Sequence, residues 1–172
     1  SVTFREEQGS YLVGYLAGMN SSTGVVGFIG GMDIPLIHKF QAGYEAGVKA
    51  VDPKIKVDVS YIEESDISGF NDPAGGKTAA AGEYDKGADV VYAAAGKSGD
   101  GVIQAAHSAG KWAIGVDSDQ ALTADKSVAG SVLTSAMKNC SGTVEDFVNS
   151  VKDDKFSGGN KEFGLKEDGV SL

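Results

Sequence analysis

Short apolar segments recur along the first 120 residues and predict the strands of a sheet. Residues 25–29 and 90–94 are apolar throughout, and residues 112–116 form a third run of this kind. Strands that are apolar on both sides are typical of a parallel sheet that helices cover on both faces. Residues 56–62 alternate apolar and polar side chains, which also predicts a strand, and residues 2–4 predict a weaker one.

Segments with helical periodicity separate these strands. After Pro35, large apolar residues recur at every fourth position as far as Val48, which predicts a helix with one apolar face. A second helix is expected to begin at Asp72-Pro73, because Asp is a favoured N-cap and Pro fits the first helical position. A third is expected at residues 99–109, where Gly110 would end it.

The alternation of strands and helices predicts the fold class. Residues 7–19 predict a further helix, with Leu12, Leu16 and Met19 on one side. Beyond residue 120, residues 128–134 predict a strand, and apolar positions between 144 and 151 predict a short amphipathic helix. The spacing of about 25 residues is typical of βαβ units. We therefore predict an α/β fold of three layers, with a parallel sheet between helices on both faces and five strands before residue 120.

Composition excludes several classes of function. The net charge of −9 opposes binding to phosphate backbones, so we expect no nucleic-acid partner. A single cysteine, Cys140, excludes an internal disulfide, and with only two histidines the chain is not expected to hold a metal or a cofactor. No apolar run approaches the roughly 20 residues that span a bilayer.

Candidate binding residues follow the predicted strands. Ligands of open α/β sheets bind at the carboxyl ends of the strands. Phe70 lies in a glycine-rich turn, where it either packs under the loop or meets a ligand, and Asp117 either binds sugar hydroxyls or caps the next turn. Gly96 either admits a close ligand or forms an ordinary turn. The loops that follow the predicted strands contain three further candidates: Asp33, Asn71 and Ser98.

Catalytic motifs are incomplete. Gly76-Lys77-Thr78 and Gly96-Lys97-Ser98 resemble the end of a phosphate loop, but the earlier glycine that the loop needs is absent from both. Ser98, Asp100 and His107 are close in sequence, yet no G-x-S-x-G elbow presents a nucleophile. We therefore expect a binding protein and not an enzyme.

Four motifs in order resemble the basic membrane protein family of bacterial lipoprotein receptors, whose type member is purine nucleoside receptor A. The motifs are VGFIGGMDIPLI at residues 26–37, GFNDP at 69–73, GADVV at 87–91 and GVDSDQ at 115–120. Residues 2–7 and 133–138 also look familial. The resemblance therefore extends over essentially the whole chain.

The resemblance implies one lobe of a type I periplasmic-binding-protein-like fold, in which two α/β lobes enclose a ligand. Relative to the family, the sequence lacks roughly the 110–130 residues of one preceding lobe. We therefore expect a fragment with the C-terminal lobe at residues 1–127 and a returning crossover segment at 128–157 that packs on the N-terminal lobe. The tail at 158–172 would cross back.

The resemblance also implies a function and a site. The family's purine would stack on Phe70, Gly96 would lie near the ribose, Asp117 would be the ribose carboxylate, and Lys138 would be the site lysine. We expect an extracytoplasmic receptor of an ABC importer that binds adenosine, guanosine or inosine without catalysis. Its partners would be an ABC permease and the missing N-terminal lobe. A lipid anchor upstream of this sequence would hold it at the cell membrane.

Two rival functions are compatible with the same lobe. One is the effector-binding domain of a transcription regulator, and the less favoured one is a nucleoside-processing enzyme. An isolated lobe is also expected to self-associate through the apolar side of the helix near residues 144–155.

Overall fold

A computed structural model describes residues 1–172 and contains eight strands and six α-helices. The strands are β1 Val2–Phe4, β2 Val25–Met32, β3 Lys56–Glu63, β4 Val90–Ala94, β5 Trp112–Asp117, β6 Val132–Lys138, β7 Lys161–Phe163 and β8 Val170–Ser171. The helices are α1 Glu6–Asn20, α2 Pro35–Val51, α3 Pro73–Asp85, α4 Gly99–Ala109, α5 Gln120–Thr123 and α6 Cys140–Lys152. None of the helices combines the length and the apolar character that crossing a membrane requires.

Six strands form the central sheet in the order β3-β2-β4-β5-β6-β8. The first five are parallel, and β8 is antiparallel to β6. One apolar core lies between the sheet and α1 and α2, around Phe28, Tyr44 and Tyr92, and a second lies on the side of α3 and α4, around Ile29 and Ala106. The predicted three-layer α/β fold is therefore confirmed.

β1 and β7 form a separate parallel pair outside this sheet. Phe4 and Phe163 lie with their ring centroids 6.2 Å apart at one end of the pair. Next to it, Arg5 forms an ion pair of 3.0 Å with Glu162. The two ends of the chain are thereby brought together beside the start of α1.

The sheet extends beyond residue 127, where the sequence placed the end of the lobe. β6 pairs with β5 from Val132 to Met137, so the first part of the predicted returning segment belongs to the central sheet. The strand begins later than the predicted residue 128, because residues 129–131 form a 3₁₀ turn. Asn139 then caps α6 by accepting a hydrogen bond of 2.9 Å from the backbone N–H of Gly142.

The buried face of α1 is not the side that carries Leu12, Leu16 and Met19. Met19 is 62% exposed, and the buried face consists of small residues and Val13: Gly9, Ser10, Val13, Gly14, Ala17 and Gly18. A Cβ atom at Gly14 would collide with the backbone carbonyl group of Tyr44 in α2. The two helices therefore approach closely because glycines face backbone across their interface, and hydrophobic periodicity does not report that kind of contact.

α3 is fixed to the sheet by a buried acid. Glu83 is 1% exposed, and the Ser60 hydroxyl of β3 donates a hydrogen bond of 2.6 Å to its Oε1 atom. Burial raises the pKa of Glu83 to about 8, although the Ser60 hydrogen bond opposes this shift. Burial therefore favours the neutral carboxylic acid form of Glu83.

Candidate functional site

A small cleft of about 140 Å³ opens at the carboxyl ends of the central strands. Residues of α2, β4, β5 and β6 and of two connecting loops line it: Leu36, Ile37, Phe40, Phe70, Ala94, Gly96, Val116, Asp117 and Lys138. Its wall is mostly apolar, and Asp117 and Lys138 are its two charged groups. All four residues that the resemblance assigned to a ligand therefore meet in one cavity.

Phe70 is placed by a short 3₁₀ turn at Ile67–Phe70, which follows β3. Asp66 caps this turn by accepting a hydrogen bond of 2.8 Å from the backbone N–H of Ser68. The Phe70 ring lies against Gly31, where any Cβ atom would collide with it. The side chain is half-buried and packs on the edge of the core, so one of its ring faces is supported by the protein. An aromatic ring held in this way is suited to stack on a flat ligand.

Ser98 positions the two loops that carry Phe70 and Gly96. Its buried hydroxyl donates a hydrogen bond of 2.7 Å to the carbonyl oxygen of Gly69 and accepts one of 2.8 Å from the N–H of Asp72. Both bonds lie within the protein, and Ser98 does not line the cleft. Ser98 therefore joins the two loops, and ligand contact by Ser98 stays a prediction.

Gly96 has a backbone that only glycine adopts easily. Its φ is +55°, and a Cβ atom there would lie 2.9 Å from the carbonyl oxygen of Phe70. The absence of a side chain therefore allows the loop after β4 to lie against the loop after β3. Because Gly96 has no side chain, the cleft also stays open next to this residue.

Asp117 and Lys138 end two neighbouring strands, and their charged groups meet. The Nζ atom of Lys138 lies 3.2 Å from Oδ1 of Asp117. Asp117 is 56% exposed and has a φ of +68°, which is uncommon for a residue with a side chain. The Lys138 ammonium also lies 4.8 Å from the centroid of the Phe40 ring. The pair thus places an accessible carboxylate at the rim of the cleft.

Two buried polar groups lie beneath this pair, and the sequence analysis missed both. Glu6 is 6% exposed, and its Oε1 atom lies 3.6 Å from the Lys138 ammonium. Tyr92 is fully buried, and its hydroxyl lies 3.2 Å from that of Ser10. Burial raises the pKa of Tyr92, and the charges of Asp117 and Glu6 add to this effect, so it remains a neutral phenol. The one sequence signal for Glu6 is its place within the familial residues 2–7.

The two other predicted candidates lie outside the cleft. The Oδ1 atom of Asp33 lies 2.6 Å from Nε2 of His38, at hydrogen-bond distance, on the outer side of α2. Burial raises the pKa of the neighbouring Tyr61 to about 12, with smaller contributions from the charges of Asp33 and Glu45. Asn71 is exposed after the 3₁₀ turn and does not line the cavity.

A larger open groove of about 630 Å³ lies elsewhere, between α1, α2 and the turn at Leu165–Glu167. Tyr11, Ala46 and Leu165 contribute to its wall. No residue of the central sheet's strands lines it, whereas α/β sheets bind their ligands at the strand ends. The small cleft, in which an aromatic ring and two charges converge, is therefore the better candidate site.

Comparison with known proteins identifies close relatives of the whole chain. A family model described as "ABC transporter substrate-binding protein PnrA-like" matches residues 1–172. The CD4+ T-cell-stimulating antigen of Listeria monocytogenes is 40% identical over 185 residues, which is 100% of this chain and 50% of that protein. The ABC transporter nucleoside-binding protein BmpA of Lactococcus lactis is 39% identical, covering 100% of this chain and 52% of that protein. The chain thus spans about half the length of these relatives.

Solved structures show the same fold. A solute-binding protein of an ABC transporter system from Aeropyrum pernix K1 superimposes with a TM-score of 0.84 and 29% identity, covering 99% of this chain and 48% of that one. A transcriptional activator of the comK gene from Bacillus halodurans gives a TM-score of 0.82 at 22% identity, covering 99% of this chain and 56% of that one. This second likeness is evidence for the fold alone.

Proposed function

Because the chain belongs to the family of PnrA-like ABC transporter substrate-binding proteins, we propose that it forms one lobe of a receptor that binds a purine nucleoside and delivers it to an ABC permease. The observation that carries the proposal is the convergence of Phe70, Gly96, Asp117 and Lys138 in one cleft. One relative that matches the whole chain, BmpA of Lactococcus lactis, is described as nucleoside-binding. No covalent chemistry is part of this function.

Each residue of the cleft has a role that its chemistry supports. The purine stacks on the Phe70 ring, an interaction worth roughly 1–3 kcal/mol per base. The Asp117 carboxylate accepts hydrogen bonds from ribose hydroxyls, and such a charged hydrogen bond contributes roughly 1.5–3 kcal/mol. Lys138 balances the charge of Asp117, and Gly96 leaves room for the sugar.

The size of the cleft supports a site shared between two lobes. Ligand pockets usually have about 300–1,000 Å³, whereas this cleft has about 140 Å³. We propose that a second lobe, corresponding to the other half of the relatives' length, closes over the ligand and supplies the remaining contacts. The lobe described here would then bind nucleosides only weakly when it is alone.

The exposed face of α6 supports the same arrangement. Five large apolar side chains of α6 and the segment after it are about half-exposed or more: Val144, Phe147, Val148, Val151 and Phe156. A cluster of this kind is typical of a surface that another unit covers. Because β6 and β8 belong to the central sheet, we propose that the chain between them, which includes α6, reaches the second lobe and that this lobe covers α6. Without it, the chain is expected to self-associate.

The proposed receptor acts outside the cytoplasm, where a lipid anchor upstream of this chain would hold it at the cell membrane. The family match favours this receptor over the effector domain of a transcription regulator, with which the chain shares a fold. The family match likewise favours the receptor over a nucleoside-processing enzyme.

Replacement Phe70→Ala tests the proposal. Calorimetric titration of the two-lobe receptor with adenosine, guanosine and inosine is expected to show binding of at least one nucleoside. The variant is expected to bind each of the nucleosides that bind about tenfold more weakly, because stacking is tolerant of the base. Ile67→Ala is the control, since Ile67 lies on the same turn but is 78% exposed. Absence of nucleoside binding to the unaltered receptor would reject the function, and a loss confined to one base would reject the role of Phe70.

A further inference from the structure

We propose that Glu6 is a positioning residue of the nucleoside site. It holds the ammonium group of Lys138 from the buried side and thereby leaves the carboxylate of Asp117 available to the ribose. This inference rests on the proposed function, because it assigns a role at the same cleft. The residue touches no part of the site's surface and acts through Lys138.

Two carboxylates compete for one ammonium group. The Lys138 Nζ atom lies 3.2 Å from Oδ1 of Asp117 and 3.6 Å from Oε1 of Glu6. Asp117 is 56% exposed at the cleft, whereas Glu6 is only 6% exposed. The position of the ammonium group therefore depends on the balance between an accessible acid and a buried one.

Because Glu6 is buried, its carboxylate depends more on a nearby cation than the exposed carboxylate of Asp117 does. Its Oε2 atom is buried without a hydrogen-bond partner and lies 3.8 Å from the Nζ atom of Lys39. A buried carboxylate is costly unless it is paired, whereas Asp117 remains accessible to water. Glu6 is thus expected to attract the Lys138 ammonium, which weakens the hold of Lys138 on Asp117. The Asp117 carboxylate can then accept hydrogen bonds from hydroxyl groups.

The backbone around Glu6 suits a positioning role. Glu6 is the first residue of α1, and Arg5, which separates it from β1, pairs with Glu162 of β7. α1 is held against α2 through glycines, and Phe40 of α2 supplies the ring next to the Lys138 ammonium. Packed elements on several sides therefore fix the carboxylate of Glu6 relative to Lys138.

Replacement Glu6→Gln in the two-lobe receptor separates positioning from general damage. The amide has nearly the same shape but no charge, so Lys138 is expected to pair with Asp117 alone. Adenosine should then bind about tenfold more weakly, while the weaker binding of adenine, which has no ribose, should be unchanged. Glu7→Gln is the matched control and should bind both compounds like the unaltered receptor. An equal loss for adenosine and adenine would overturn the inference.

A second pair of variants keeps the inference testable if Glu6→Gln does not fold. Lys138→Met and the double variant Glu6→Gln/Lys138→Met should bind adenosine equally, because Glu6 acts through Lys138. Removal of both partners of a buried ion pair is tolerated better than removal of one. A further loss of affinity in the double variant would show that Glu6 acts by another route and would overturn the inference.

The inference and the proposed function can fail separately. If the unaltered receptor binds neither adenosine nor adenine, the proposed function fails. Crystal structures of the unaltered chain and of its Glu6→Gln variant then decide the role of Glu6. Movement of the Lys138 ammonium towards Asp117 in the variant supports the positioning role, and an unmoved ammonium group rejects it.

Discussion

Replacement Gly43→Ala is expected to lower the free energy of unfolding of the chain by about 3 kcal/mol or more. Gly43 lies in α2, and a Cβ atom there would collide with the backbone carbonyl group of Glu7 in α1. A side chain could rotate away from such a collision, but a helix backbone cannot. The helices would have to separate, and both carry residues that pack in the first core. Urea unfolding followed by circular dichroism measures the effect.

Gly82→Ala is the matched control, because Gly82 also lies inside a helix but has nothing within 4 Å of its missing Cβ atom. Alanine has the higher helix propensity, so this variant is expected to be more stable by about 0.5–1 kcal/mol. If the free energy of unfolding falls in Gly43→Ala and rises in Gly82→Ala, the contact between α1 and α2 requires glycine. A Gly43→Ala variant as stable as the unaltered chain would show that the helices can move apart without cost.

The strands and most helices could be predicted because their signals are local. The apolar run at Val90–Ala94 and the Asp72-Pro73 start of α3 are each contained within a few residues. The glycine-lined contact of α1 could not be predicted in this way. Its small residues become informative only when the partner backbone is known, since their role is to leave space for it. Leu12, Leu16 and Met19 gave the larger hydrophobic signal but not the buried face.

The short strands near the C-terminus could not be predicted for a related reason. β7 and β8 contain three and two residues, and their partners lie far away in the sequence. β7 pairs with β1 and β8 with β6. Segments of this length have no periodicity of their own, so only the contacts of the folded chain define them.

The residues of the candidate site also differ in whether their sequence signal is local. Phe70, Gly96 and Asp117 could be selected because each follows a recognisable strand, where parallel sheets place their ligands. Lys138 was assigned through the resemblance alone, and the register of β5 and β6 explains its position beside Asp117. Glu6 was missed because it lies at the very start of the first helix and comes to the site only by packing. Ser98 was selected by its loop, but its hydroxyl faces inward.

In the proposed two-lobe receptor, Asp117→Ala is expected to weaken the binding of purine nucleosides about thirtyfold, or about 2 kcal/mol. The variant removes the accessible carboxylate at the rim of the cleft and leaves the Lys138 ammonium without its partner on that side. Lys138 retains Glu6, which is 3.6 Å away, so the buried charge is still paired and the fold should persist. Calorimetric titration with the tightest-binding nucleoside measures the loss.

A second variant is needed because the backbone of Asp117 has a positive φ. At a φ of +68°, alanine is strained, whereas asparagine tolerates this conformation. Asp117→Asn should therefore keep the loop geometry and lose only the charge, so a loss of affinity in both variants assigns the effect to the carboxylate. The adjacent Ser118→Ala, at an exposed position, should bind like the unaltered receptor. If Asp117→Asn retained full affinity while Asp117→Ala lost it, the backbone and not the charge would hold the ligand, and the proposed role of Asp117 would be wrong.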